Sequence, residues 1–221
     1  MHTEHGGGVP EGTTFSQELA ALKREGSNIL VVGTATDDAH VLACRRLLGQ
    51  SQDDPRRRLF VFTDGHSACE RLPENGCGPV RIVRQGDEAA FADRPDVSEA
   101  VVDSRMLSAL GTEIIAGVNE FEDEVDGFDP AELRVCVDSV APLLEEHPPE
   151  NVFRLLHMVT SRIRQASGMG HFHLDVGKDS DAVHLLEPLF DAVVEVREQG
   201  GNVEHRWHLR DQEVSSGWID L

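Results

Sequence analysis

The chain has 221 residues, a length that suits a single domain able to bury a full sheet without disulfide or metal support. Forty acidic against 20 basic residues give a net charge of −20, which disfavours broad attraction to nucleic acid or to an anionic membrane. The acidic excess is spread along the chain and only Lys23 and Lys178 are lysines. This matches the surface of a cytoplasmic protein adapted to molar salt, where a Debye length of about 3 Å screens self-repulsion.

No stretch reaches the roughly 18 apolar residues of a membrane span, and the N-terminus lacks a signal peptide's apolar core. The four cysteines form no Cys-x-x-Cys pair, and two of them sit in apolar runs as small core residues, which fits a reducing cytosol.

Residues 1–13 are rich in glycine, histidine and glutamate and are expected to be a disordered tail. Thr14 with Gln17 resembles a capping box that opens a short helix with Phe15, Leu19 and Leu22 on one face, ending at Gly26. The β-branched run 29–32 then stops at Gly33, and apolar residues return at Val41, Leu42, Cys44, Leu47 and Leu48 with helical spacing. This is strand, loop and helix. Residues 59–62 form a second strand covered on both faces, ending in Thr63, Asp64, Gly65 and His66. Residues 80–83 and 100–102 predict a third and a fourth. Asp103 or Ser104 can cap a long helix carrying Leu107, Leu110, Ile114, Val118 and Phe121. Residues 133–139 read as a buried strand whose tip bears Asp138 and Ser139. Pro148 and Pro149 prepare a helix over 150–167; residues 171–175 alternate as a strand, and a helix follows over 182–190. Residues 192–196, 203–209 and 217–221 close the chain as β segments, the first two forming a hairpin about Gly200 and Gly201.

This order of parts resembles the RecA/KaiC-like P-loop superfamily, in its small single-domain haloarchaeal branch. The matching pieces are residues 28–33 with the following helix, 59–65, 103–121, 133–139 and 189–196 with the terminal hairpin. The resemblance implies an α/β fold over residues 14–221: a three-layer RecA-like domain, a mostly parallel sheet between helices, with a C-terminal β-hairpin and ligands at the carboxyl ends of strands. It also implies that Asp138, beside Ser139, matches the acid that holds magnesium, and that Asp64 lies near the family's catalytic carboxylate.

The phosphate loop departs from that pattern. Gly33, Thr34 and Thr36 remain, but Asp38, Ala39 and His40 stand where glycine, lysine and serine or threonine would bind phosphate and magnesium. Without the lysine, charge on the transferred phosphoryl group is not neutralised. The expected function is therefore a non-catalytic regulatory or scaffold protein acting through protein partners or self-association, with no cofactor. The alternative is a nucleotide-binding protein or slow ATPase that uses ATP and Mg2+ through Asp64 and Asp138.

Each candidate also has a plainer role. Asp138 can cap the next segment or face solvent, and Thr63 to His66 is good turn chemistry. Asp37 and Asp38 suit a helix N-terminus, and Gly168, Met169 and Gly170 suit a helix stop. His171 and His173 share a strand face at metal-ligand spacing, and His205 and His208 lie on another β segment. A zinc site needs three or four converging ligands, and the sequence brings no such set together. Arg197, Arg206 and Arg210 read as paired surface charges or as a subunit-interface finger. Trp207 and Trp218 read as core or edge anchors.

Overall fold

Short, largely apolar runs become the middle of one sheet. The computed structural model describes residues 11–49, 56–63, 72, 78–86, 97–103, 106–210 and 214–221, with side chains from residue 15 onward. Strands β1 (Ser27–Val32), β5 (Leu133–Val137) and β6 (Met169–Leu174) are buried at every position, and β2 (Arg57–Phe62) at every position but its first. Such strands are covered on both faces, as parallel sheets require. With β3 (Val80–Gln85), β4 (Val97–Val102), β7 (Ala192–Gln199), β8 (Asn202–Leu209), β9 (Val214–Ser215) and β10 (Ile219–Asp220) they form one sheet. Its order is β10-β8-β7-β1-β6-β5-β2-β3-β4, with β9 also paired to β8. Pairing is parallel from β7 to β4 and antiparallel at the C-terminal edge, where β8 pairs with β7, β9 and β10.

Helices cover both faces, giving three layers. Side chains alternate along each strand, so Leu30 and Val32 of β1 face one core while Ile29 and Val31 face the other. On the first face lie α3 (Leu107–Asp123), α5 (Pro149–Gln165) and α6 (Asp181–Leu186), with Ile114, Val118, Leu156 and Val159 in the core. The short α4 (Ala141–Glu146) adds Leu143 to the same side. On the second face lie α1 (Glu11–Glu25) and α2 (Asp37–Leu48). Among the described residues no helix is long and apolar enough to cross a membrane.

Several boundaries differ from expectation. Helix α1 begins at Glu11, so residues 11–13 are helical rather than tail, and Thr14 lies inside the helix instead of capping it. An acidic residue is favourable at a helix N-terminus, and these polar residues extend the helix with no apolar face to bury. Strand β4 starts at Val97, ahead of the predicted 100–102, because backbone pairing to β3 runs on through Ser98 and Glu99. Helix α3 starts after Met106, beyond the expected cap at Asp103; Ser104 lies outside the described residues. Helix α4 was not expected, since six residues are too few to show helical periodicity. Gly168 ends the α5 turn as expected, its N–H bonding to the Ile163 carbonyl, but Met169 and Gly170 already belong to β6. The hairpin turns at Gly200 and Gly201 with φ of 62° and 86°, as a two-residue primed turn demands.

Three arginines close the end of α2. Arg134 Nη1 donates to the Leu47 carbonyl, Arg56 Nη1 to Leu48 and Arg58 Nη2 to Gly49. Cations there complement the helix dipole and satisfy carbonyls that have no partner within the helix. Burial, and then the charges of Arg56 and Arg58, pull the Arg134 pKa down to about 9, which leaves it cationic at neutral pH.

Candidate functional site

Chain crossovers leave β1 and β6 on opposite faces: α2 follows β1 on the second face, and α6 follows β6 on the first. Their carboxyl ends therefore flank the usual ligand position in an open α/β sheet. The residues from Gly33 to His40 follow β1 at this end. Thr34, Thr36, Asp37 and Asp38 are exposed, while Ala39 and His40 are buried. Thr36 is the N-cap of α2, and Asp37 and Asp38 occupy its first turn, where the helix dipole favours carboxylates.

The loop is tied to the protein's own groups. Glu198, near the end of β7, accepts hydrogen bonds from the Thr36 N–H at 3.2 Å and from the Thr36 hydroxyl. His40 Nε2 lies 3.1 Å from the Gly33 carbonyl oxygen. Since that oxygen can only accept, Nε2 carries the proton and Nδ1 is left as an acceptor. Gly33 itself is held by its N–H to the Val176 carbonyl, and a Cβ at this position would lie 2.1 Å from the Val196 carbonyl oxygen.

Asp138 is 2% exposed and ties two strand ends together. Its Oδ1 accepts from the Thr63 N–H at 2.9 Å, the Thr63 hydroxyl at 3.0 Å and the Ser139 N–H at 2.7 Å. Ser139 continues the staple: its carbonyl accepts from the Thr63 hydroxyl, and its Oγ from the Ala141 N–H at the start of α4. Asp64 and His66 lie outside the described residues.

A second constellation lies beneath α2. The β6 register puts His171 beside Cys136 of β5, and His173 follows two residues on, on the same face. Cys44 comes down from α2. One ligand-type atom from each of Cys44, Cys136, His171 and His173 lies within 4.8 Å of the others, and all four residues are 2% exposed or less. The two sulfurs are 3.3 Å apart, and His171 Nε2 is 3.3 Å from Cys44 Sγ. Burial opposes ionisation of Cys44, but hydrogen bonds to Cys136, His171 and His173 and the charge of His171 outweigh it, holding the thiol well below its ordinary range. His40 joins from the loop, its Nδ1 3.1 Å from His173 Nδ1. With His40 Nδ1 as acceptor, His173 Nδ1 carries the proton and Nε2 keeps the lone pair.

The chain belongs to DUF7504, a family of unknown function. The DUF7504 match spans residues 26–196, from just before β1 into β7. No curated protein matches the chain. Cys44, Cys136, His171, His173 and His40 all fall inside the DUF7504 segment, whereas Glu198 and strands β8 to β10 fall beyond it.

Sequence reasoning picked out His171 and His173, and also His205 and His208, but brought no set of ligands together; the structure joins the first two to Cys44 and Cys136 and leaves the other two elsewhere. His208 Nδ1 bonds Ser215 Oγ on β9, and His205 stacks edge-on to Trp207 on β8. The two cysteines carried no local motif, because their convergence depends on strand order and on where α2 packs. The terminal arginines are engaged within the chain: Arg197 with Glu204, Arg206 with Glu195, and Arg210 with the Pro188 carbonyl. Trp207 is buried, and Trp218 lies under the guanidinium groups of Arg197 and Arg206, 3.7 and 4.6 Å from its ring centre.

This C-terminal edge sets a pH dependence. Burial and the charge of Arg46 lower the His205 pKa, against an opposing hydrogen bond to the Ile219 backbone. Burial, with Lys178 and Arg206, lowers that of His208, against Glu195. Each is protonated more readily when unfolded, so their contribution is complete above the ordinary histidine value of about 6.5 and falls as pH drops below it. Glu195 acts in the same direction at lower pH. Burial raises its pKa, but Arg206 and His208 outweigh burial and depress it, so its contribution is lost as pH falls through the folded value. The thermal midpoint should decline from pH 7 toward pH 5, and His205→Asn should flatten that slope. A midpoint rising over this interval would contradict the assignment.

Proposed function

We propose that the protein is a non-catalytic relative of RecA/KaiC-like ATPases, a regulatory or scaffold protein that acts through protein contacts and binds no nucleotide. The observation that carries this reading is the Thr36–Glu198 contact. A phosphate loop works by presenting backbone N–H groups and a helix N-terminus to an anion, and here the exposed carboxylate of Glu198 takes the Thr36 donors. Two further facts support it. His40 occupies the Gly33 carbonyl, and exposed Asp37 and Asp38 repel a polyphosphate at the loop mouth. Asp138, the acid that would hold magnesium, has a structural task in joining β2 to β5. Exposed Val101 on the outer strand β4 and exposed Met106 after it suit contact with a protein partner or a second copy.

Calorimetric titration of ATP with magnesium into the protein at molar potassium chloride tests this. The expected result is no binding heat up to millimolar ATP. Magnesium-dependent binding tighter than roughly 100 µM, about −5.5 kcal/mol, would overturn the reading in favour of the nucleotide-binding alternative.

A further inference from the structure

We propose that Cys44, Cys136, His171 and His173 form a tetrahedral site for one zinc ion, a closed structural centre that pins α2 to the middle of the sheet. The inference is independent of whether the loop binds nucleotide.

The donor set fits the ion. Two sulfurs and two imidazoles are a tetrahedral zinc set, and four protein ligands leave no open position for a substrate or activated water. Zn–S bonds of about 2.3 Å and Zn–N bonds of about 2.0 to 2.1 Å give tetrahedral edges of about 3.3 to 3.8 Å. The four ligand atoms already lie within 4.8 Å of one another, with sulfur–sulfur and sulfur–nitrogen separations of 3.3 Å. Loading then requires the sulfurs to part by about 0.5 Å and any separation near 4.8 Å to close by about 1 Å.

The location argues the same way. Ile29, Val31 and Ala43 belong to one apolar cluster under the helices of this face, and Phe60, Phe62 and Leu48 to another. Cys44 and Cys136 belong to the second cluster, so the four donors meet inside the core layer. Two thiolates with a divalent cation sum to zero charge, which a core can hold at far lower cost than separate ions. The ligands come from three elements, α2, β5 and β6, so a single ion crosslinks residues 44, 136, 171 and 173.

His40 supplies the outer contact. A ligating histidine commonly donates its second ring N–H to an acceptor that fixes its orientation. The line from the Gly33 carbonyl through His40 to His173 Nδ1 does this, leaving Nε2 of His173 to bind the ion. His40 is therefore a positioning residue.

The test uses the whole chain, isolated in molar potassium chloride under reducing conditions. Elemental analysis should find about one zinc per chain, as a four-ligand structural site requires. Protein stripped by unfolding in chelator and refolded with cobalt(II) should show visible bands of tetrahedral cobalt and a near-ultraviolet thiolate-to-cobalt band. The second band should be roughly halved in Cys44→Ser or Cys136→Ser, because each variant keeps only one of the two thiolates in a two-cysteine, two-histidine set. In His40→Ala the bands should persist while cobalt affinity falls about 10- to 100-fold. Absence of bound metal after refolding with excess cobalt, cobalt bound without the thiolate band, or a Cys44–Cys136 disulfide in the reduced preparation would each overturn the site. The cobalt spectrum of the unaltered chain decides the matter even if a cysteine variant fails to fold. Unchanged affinity in His40→Ala would overturn the part given to His40.

Discussion

Replacing Gly33 with alanine should destabilise the protein by about 4 kcal/mol or more, among the largest effects of any single substitution. Two causes act together. The backbone at Gly33 has φ of 146°, a region open essentially to glycine alone. The added Cβ would also lie 2.1 Å from the Val196 carbonyl oxygen, a backbone atom in a strand fixed on one side by β1 and on the other by β8. Relief requires β7 to move away from β1, which would strain the pairing of both. Urea unfolding at molar potassium chloride measures the effect, with Gly217→Ala as the control. Gly217 has open space around its Cβ position and no positive φ, so the control should unfold with the parent. Parent-like stability in Gly33→Ala would mean that the close approach to Val196 does not constrain this position.

The second large effect is at Asp138. Asp138→Ala should cost about 3 kcal/mol or more, because it removes a buried acceptor and strands the N–H donors that converge on it. The Thr63 N–H and Ser139 N–H converge on Oδ1, while the single proton of the Thr63 hydroxyl is shared between Oδ1 and the Ser139 carbonyl. Asp138→Asn keeps an acceptor oxygen in that position and should cost less, about 1 to 2 kcal/mol. The ordering of aspartate, then asparagine, then alanine in chemical denaturation is the signature of a staple. Equal, parent-like stability of both variants would refute it and return Asp138 to a role in ligand binding.

The architecture was legible because it rests on local apolar pattern. Continuous runs such as 29–32 and 59–62 read as strands buried on both faces, and Gly200 with Gly201 announced the hairpin that β7 and β8 form. Boundaries set by pairing rather than by side chains were less legible, as at β4, where Ser98 and Glu99 pair with β3 despite their polarity. The histidine and cysteine cluster was only half legible. His171 and His173 show their common face through strand alternation, but Cys136 reaches them through the adjacency of β5 and β6, and Cys44 through the seating of α2 across the sheet. Neither relation leaves a trace in local spacing. The closure of the loop by Glu198 was hidden for the same reason, since 162 residues separate it from Thr36.

The loop from Gly33 to His40 would also resist a phosphate-binding motif built into it. A lysine at position 39 would have to leave a site where Ala39 is wholly buried among apolar neighbours, and a threonine at 40 would remove the imidazole that joins Gly33 to His173. Grafting a phosphate-binding motif onto this chain thus disturbs its interior before any ligand arrives. Each single substitution would be harmful by itself, because the loop's present form is braced by the core behind it.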